Sequence, residues 1–285
     1  MRIEPLPPGF GARISAVEIG GVIADDIFQQ IRAAFERHSV LVFPYQPMDD
    51  AQQIAFSEQF GPLERTVSSN PAGGSVFARQ SNIDIKTGAT VPLEDRRMLY
   101  QKANMLWHAD STFKEIQSLC SILSAREVPP VGGATEFAST RSVYDELPAS
   151  LKQELDGVEV EHDVVYSRRT VGFEFTEAEA AEMPTGRHPL VQTNPVTCRK
   201  SVLIGAHAKC IVGWPENRSR ELLDDLLARA TRPDNCYRHE WSTGDVVVWD
   251  NRSALHRATP YDAAKHRRLM QRTTVSLVKQ ATVSH

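Results

Sequence analysis

Three residues of this chain have the types and spacing to do chemistry together: His108, Asp110 and His256. In "NMLWHADSTF" (104–113) an imidazole and a carboxylate stand two positions apart. On a strand, residues i and i+2 project from one face, so both groups would point at the same spot. Alone, the pair fits a core His–Asp hydrogen bond as well as it fits two metal ligands. The second stretch is "GDVVVWDNRSALHRATPYD" (244–262), where a strand-like run ends at Asp250-Asn251 and the chain returns to present His256. Two imidazoles and one carboxylate hold a metal on one face and leave the opposite positions open. Fe(II) oxygenases need that opening, because a cosubstrate chelates while dioxygen binds beside it. Zinc hydrolases draw on the same ligand types, but the H-E-x-x-H signature is absent.

Basic residues sharpen the reading. "KHRRLMQRTTV" (265–275) places Arg268 and Arg272 four apart, an even spacing that puts both on one face of a strand. Guanidinium forks grip carboxylates bidentately, so one of the two could anchor the distal carboxylate of a 2-oxo acid. Arg267 suits a solvated surface. In "GGATEF" (132–137), Thr135 follows a Gly-Gly turn. Its hydroxyl could support the same carboxylate, or it could be an ordinary strand residue.

Elements that could position these groups are legible in part. "DDIFQQIRAAFERH" (25–38) has an apolar stripe at helical period, and Asp49 with Gln52 three residues on opens a second helix that Gly61-Pro62 stops. A third helix spans 216–231, and short ones fill 140–155 and 176–183. The remainder reads as short strands at 39–43, 118–125, 188–193, 201–205, 236–241, 245–249 and 272–278. Hairpin turns are expected between Thr193 and Ser201 and between Trp241 and Val246. These elements predict a single domain over 1–285, mainly β with flanking α-helices, built as a sandwich or jelly roll. Residues 64–103 are polar, Gly-rich and aperiodic, which predicts a long loop acting as a lid.

Composition narrows the partners. A net charge of −4 and a pI near 6.2 argue against nucleic acid or an anionic membrane as the main partner. The first residues lack the apolar core of a signal peptide, and the longest apolar runs are far too short to span a bilayer. Four cysteines without C-x-x-C spacing read as reduced thiols, and the cytoplasm is the expected location.

Taken in order, "LWHAD", "PPVGGATEFASTRSVYDELP", "IGAHA", "GDVVVWDNRSALHR" and "RRLMQRTT" resemble the taurine dioxygenase/2,4-dichlorophenoxyacetate dioxygenase family. The similarity runs nearly end to end and includes "HSVLVFPYQPMDDAQQIAFSEQFGPLE". "IGAHA", "EHDVVYSR" and "PPVGG" bring it closer to the phenoxyacetate branch. The resemblance implies a double-stranded β-helix (jelly-roll) core, Fe(II) as the metal and 2-oxoglutarate as cosubstrate. It also implies dioxygen and a small organic substrate as the other reactants, in a homo-oligomeric enzyme. It makes His108, Asp110 and His256 the iron ligands, and gives Thr135 and Arg268 to the 2-oxoglutarate C5 carboxylate. Arg272 and Asn104 match substrate contacts, and His207 and His162 match histidines tied to the phenoxyacetate enzyme. An aryloxyalkanoate hydroxylated beside its ether oxygen would collapse to a phenol and a 2-oxo acid. A taurine-like sulfonate, or hydroxylation or desaturation in specialised metabolism, would use the same cofactor chemistry. From other classes, a zinc hydrolase and a non-catalytic 2-oxoglutarate sensor are the alternatives.

Overall fold

The computed structural model describes residues 1–66, 74–84 and 86–277. Its strands are β1 (Arg2–Pro5), β2 (Ala12–Ser15), β3 (Val40–Phe43), β4 (Phe77–Ser81), β5 (Ser118–Glu127), β6 (Thr135–Ser139), β7 (Glu159–Asp163), β8 (Thr185–Pro189), β9 (Val191–Thr193), β10 (Lys200–Val202), β11 (Ala208–Ile211), β12 (Cys236–His239), β13 (Val246–Asp250), β14 (Ala254–Ala258) and β15 (Leu269–Ser276). The helices are α1 (Asp25–His38), α2 (Asp50–Glu58), α3 (Arg96–Lys102), α4 (Thr140–Glu146), α5 (Ala149–Glu154), α6 (Val164–Arg169), α7 (Glu177–Glu182) and α8 (Glu216–Ala230).

A seven-stranded sheet in the order β1-β2-β3-β13-β5-β15-β4 faces a smaller sheet β12-β6-β14. The space between them is filled by Val40, Val42, Leu123, Phe137, Val247, Trp249, Ala254 and Met270. Alternate residues of the same strands, Leu41, Phe43, Ile122, Val246 and Val248, face outward and meet Ile31 and Phe35 of α1 and Phe56 of α2. This two-sided burial explains why "VLVF" and "VVVW" are continuous apolar runs rather than alternating ones. On the far side, Leu223 and Leu226 of α8 and Val143 of α4 cover Ala138 and Leu255 of the small sheet. The layers are therefore helix, sheet, sheet, helix: a jelly roll with flanking helices. Burying each large apolar side chain in these layers contributes roughly 1.5–3 kcal/mol.

The expected helices form where periodicity placed them. Asp49 caps α2 with a capping box completed by Gln52, and Thr176 does the same for α7 with Glu179. The turn after Thr193 closes a β9–β10 hairpin in which Lys200 opposes Thr193. The turn between Trp241 and Val246 does not close one. β12 pairs with β6, whereas β13 pairs with β3 and β5, so "STGD" carries the chain from the small sheet to the large one. The 188–193 strand is broken into β8 and β9, which join different sheets.

Residues 64–103 are also more ordered than a loop. β4 lies in this span and pairs with β15 at the edge of the large sheet, with Ala78 opposite Arg272. α3 follows, capped by the Asp95 side chain. Residues 67–73 and Ile85 of this span lie outside the described residues. No helix among the described residues is long and apolar enough to cross a membrane.

Candidate active site

His108 and His256 face each other across a lone antiparallel bridge. The His108 N–H donates to the His256 carbonyl (3.0 Å), and the His256 N–H donates to the His108 carbonyl (2.8 Å). The bridge sets the two rings 4.2 Å apart between centroids. His256 rides on β14, while His108 lies in the irregular segment before β5. Gly205 makes that approach feasible. Its φ is +116°, and a Cβ there would stand 3.0 Å from the Trp107 carbonyl and 3.1 Å from the His108 Cα.

Asp110 arrives by a turn rather than by strand pleating. The expected strand-face geometry does not hold, because the chain turns at Ser111, whose φ is +56°. Four hydrogen bonds fix the aspartate instead. Its N–H donates to Asn251 Oδ1 (3.1 Å), and its carbonyl accepts from Ser118 Oγ (2.8 Å). Its carboxylate accepts from Ser121 Oγ at Oδ2 (2.7 Å) and from Arg272 Nη1 at Oδ1 (2.6 Å). The carboxylate then lies 3.8 Å from His108 Nε2 and 3.7 Å from His256 Nε2. The ligand atoms of all three residues fall within 4.8 Å of one another, and all three residues are buried.

Protonation suits a cation. Burial lowers the His108 pKa to about 4, against the pull of Asp110, and burial holds His256 well below its ordinary value. Burial pushes Asp110 the other way, but Arg272 and the two histidines outweigh it and keep the carboxyl well below the usual range. His108 Nδ1 donates to the Leu106 carbonyl (2.7 Å), which leaves the Nε2 lone pair facing Asp110. His256 has both ring nitrogens buried without a partner. Two neutral imidazoles, an ionised carboxylate and orphaned nitrogens are what a divalent metal would satisfy.

A cavity of about 580 Å³ opens on His108 and Asp110 of this triad. Asn104, Arg272 and His207 line it, as do His108 and Asp110. Part of its lining is aromatic: Tyr100 on α3 lies 5.2 Å from Phe173, and Phe113 lies 5.1 Å from the His207 ring. The Ser167 hydroxyl, which donates to the Val164 carbonyl, also lies 2.9 Å from His207 Nδ1. With its single hydrogen on Val164, Ser167 accepts from His207 Nδ1–H. His162 is not on the cavity wall. It is fully buried on β7, its ring 5.8 Å from His188.

Thr135 and Arg268 also stand off the cavity lining. Thr135 Oγ1 accepts from Trp241 Nε1 (2.9 Å). Arg268 immediately precedes β15 and donates from Nη2 to the Gly133 carbonyl (3.2 Å). Its Nε has no partner, and burial lowers its pKa to about 10. Gly133 has φ +69°, and a Cβ there would come within 3.2 Å of that Nε. A buried guanidinium without a carboxylate fits the distal carboxylate of 2-oxoglutarate.

The family described as "Taurine catabolism dioxygenase TauD, TfdA family" matches residues 2–274. The chain belongs to this family. It is 39% identical over 278 residues to the alpha-ketoglutarate-dependent 2,4-dichlorophenoxyacetate dioxygenase of Cupriavidus pinatubonensis, covering 95% of this chain and 96% of that one. It is 37% identical over 275 residues to the (S)-phenoxypropionate/alpha-ketoglutarate-dioxygenase of Sphingobium herbicidovorans, covering 93% and 91%. A solved structure of AAD-2 in complex with Mn(II) and N-oxalylglycine superposes with a TM-score of 0.90 at 35% identity, covering 100% of both chains. The chain is thus an Fe(II)- and 2-oxoglutarate-dependent dioxygenase, an oxidoreductase acting on a small molecule.

Several residues that hold the dioxygenase site together carry no signal of their own in the sequence. Ser121 is one of three serines in the otherwise apolar strand "SLCSILSA", and Asn251 reads as a turn residue. Together they form a closed relay. Asn251 Oδ1 accepts from Trp249 Nε1 (3.0 Å) as well as from Asp110, and Asn251 Nδ2 donates to Ser121 Oγ (3.0 Å). Ser121→Ala is expected to keep the fold and weaken divalent metal binding roughly tenfold, as other outer partners of metal ligands do. Unchanged affinity in a Mn(II) titration would show that Arg272 alone orients Asp110.

Acid should weaken the metal-free dioxygenase through histidines that are not ligands. Burial lowers His162 to about 3 and His207 well below its ordinary value. Between those values and the unfolded value near 6.5, the unfolded chain binds protons that the folded chain refuses. Stability is therefore expected to fall as pH drops below about 6.5, by up to about 1.4 kcal/mol per pH unit for each such histidine. Urea midpoints at pH 7.5, 6.5 and 5.5 test this, and a midpoint that holds steady down to pH 5.5 contradicts it.

Proposed function

We propose that this dioxygenase hydroxylates small aromatic acids of the aryloxyalkanoate type, at the carbon between the ether oxygen and the carboxylate. The observation that carries this reading is the cavity beside the triad, with arginines among its lining residues and an aromatic wall at Tyr100, Phe113 and Phe173. A taurine-like sulfonate would leave that aromatic wall without a partner. The relatives that act on phenoxy acids support the same substrate class.

In this reading His108, Asp110 and His256 hold Fe(II), and Arg268 with Thr135 receives the C5 carboxylate of 2-oxoglutarate. With Fe(II) and 2-oxoglutarate bound, dioxygen would be the oxidant: one oxygen atom would enter succinate as 2-oxoglutarate loses carbon dioxide, and the other would turn the substrate C–H into C–OH. The chain supplies placement. Ser121 and Arg272 each engage one Asp110 oxygen, which fixes the carboxylate plane toward the histidines. Asn104 and His207 border the substrate, and the aromatic wall excludes water. The hydroxylated carbon then carries both OH and an aryloxy group. Loss of the hydroxyl proton and departure of the aryloxide give a 2-oxo acid and a phenol. α3, which brings Tyr100 to the cavity, acts as the lid over the substrate.

The test is anaerobic loading with Fe(II) and 2-oxoglutarate, then oxygenation across phenoxyacetates, phenoxypropionates and alkylsulfonates. Succinate with stoichiometric phenol from the aryl acids is the expected result. Succinate with sulfite from taurine and none from the aryl acids would replace this reading. We place the enzyme in the cytoplasm as a homo-oligomer. The four free cysteines support the reducing compartment.

A further inference from the structure

Four arginines are more than nine-tenths buried among the described residues: Arg141, Arg168, Arg252 and Arg268. Burying a guanidinium is costly unless an anion meets it. Arg141 and Arg252 meet Asp250, and Arg252 also meets Glu36. Arg268 has no carboxylate, and the bound cosubstrate accounts for it. Arg168, 7% exposed, has none either, and nothing assigned so far accounts for it.

The surroundings of Arg168 are those of a receptor. It lies in the last turn of α6, with its guanidinium 4.4 Å over the Tyr100 ring. It lines the same cavity as His108 and Asp110, and its Nε is buried without a hydrogen-bond partner. No ion pair reaches it among the described residues, and the residues outside them (67–73, 85 and 278–285) include no Asp or Glu. It is close enough to His108 and His207 to act on both electrostatically. Arg272, by contrast, is already neutralised by Asp110 at 2.6 Å.

We infer that Arg168 is the specificity-determining receptor for the acidic group of the primary substrate. The inference rests on the reading of the substrate as an aromatic acid and deepens it. The guanidinium fork takes the carboxylate while Tyr100, stacked on its other side, and Phe113 hold the ring. Arg272 stays with Asp110 at the metal end. A substrate anion would therefore complete a buried charge pair that the chain leaves half-made.

The test compares anions with their neutral counterparts on the full chain loaded anaerobically with Fe(II) and 2-oxoglutarate. Calorimetric affinities are measured for phenoxyacetate against phenoxyacetamide, and for a phenylalkyl sulfonate against its sulfonamide. The native chain is expected to prefer an anion by about 10- to 100-fold, the scale of a charge-assisted hydrogen bond pair. Arg168→Gln should bring the paired ligands to near parity while 2-oxoglutarate binding stays unchanged, and Arg168→Lys should restore part of the preference. An Arg168→Gln protein that keeps the native preference overturns the inference, as does a native chain that prefers no anion in either pair. Should the Gln variant lose 2-oxoglutarate binding, Arg168→Lys decides, since replacing the fork by a point charge should cut the preference several-fold. An unchanged preference there also overturns it. If no aryl acid yields succinate yet the preference exists and depends on Arg168, the aryloxyalkanoate reading fails and the receptor stands.

Discussion

His256→Ala is expected to lose metal binding and turnover together while the protein stays folded. The backbone bridge between residues 108 and 256 uses only N–H and carbonyl groups, so alanine keeps it. The lost ring packs 4.5 Å from Trp249, and its removal opens a small void rather than breaking a hydrogen bond, since neither ring nitrogen has a partner. Stability should therefore fall modestly, by about 1–3 kcal/mol. Binding should fall far more, because two ligands cannot close a face of the metal. Succinate release is expected to drop at least about a thousandfold, equivalent to about 4 kcal/mol in the barrier. Metal content, the visible band of the Fe(II)–2-oxoglutarate complex and succinate release are read on one sample. A variant that holds one Fe(II) per chain and keeps the band would remove His256 from the ligand set. Asp110→Ala should fail in the same way with a larger stability loss, because it strands the Arg272 charge beside the cavity.

Arg268→Ala and Arg272→Ala should separate two roles. Arg272 lies on β15 and Arg268 immediately precedes that strand, four positions away, which in extended chain is about 13 Å between their backbone positions. Met270 lies between them, buried in the inter-sheet core. One small carboxylate does not serve both. Arg268 has an orphaned Nε beside Gly133, so its loss should weaken 2-oxoglutarate by roughly 2–5 kcal/mol, with no primary substrate present. Arg272 is bound to Asp110, so its loss should leave 2-oxoglutarate binding nearly intact. It should instead change metal affinity and the KM of the primary substrate. Titrating the visible band against 2-oxoglutarate in both variants decides the matter. Equal weakening in the two would collapse the division.

What the sequence made legible follows from how local each feature is. Helix α1 was readable because its apolar stripe is local, and α2 because Asp49 and Gln52 cap it within four residues. The triad was readable as residue types, and the match to the family supports the chemistry proposed for it. Its geometry was not, since Asp110 is aimed by Ser121, Asn251 and Arg272, which lie 11, 141 and 162 residues away. The "STGD" turn looked like a hairpin because turn residues say where a chain reverses, not which sheet it enters next. β4 was missed because "FARQS" carries little apolar alternation; its partner β15 supplies the order. Arg168 gave no signal because charge in sequence is mute about burial.

The shape of the cavity has a consequence for how this scaffold diversifies. The groups proposed to hold the metal sit on β14 and on the segment that precedes β5, where Ser121 of β5 pins Asp110. Tyr100, Arg168 and Phe173 of the cavity lining come from two crossovers, α3 and the α6–α7 segment, which tie to each other by the Arg96–Glu179 pair and by Arg96 over Phe173. Reactivity and appetite are thus inherited separately. Grafting those two crossovers between relatives should transplant substrate choice as a cassette, with the oxidative machinery carried along unaltered.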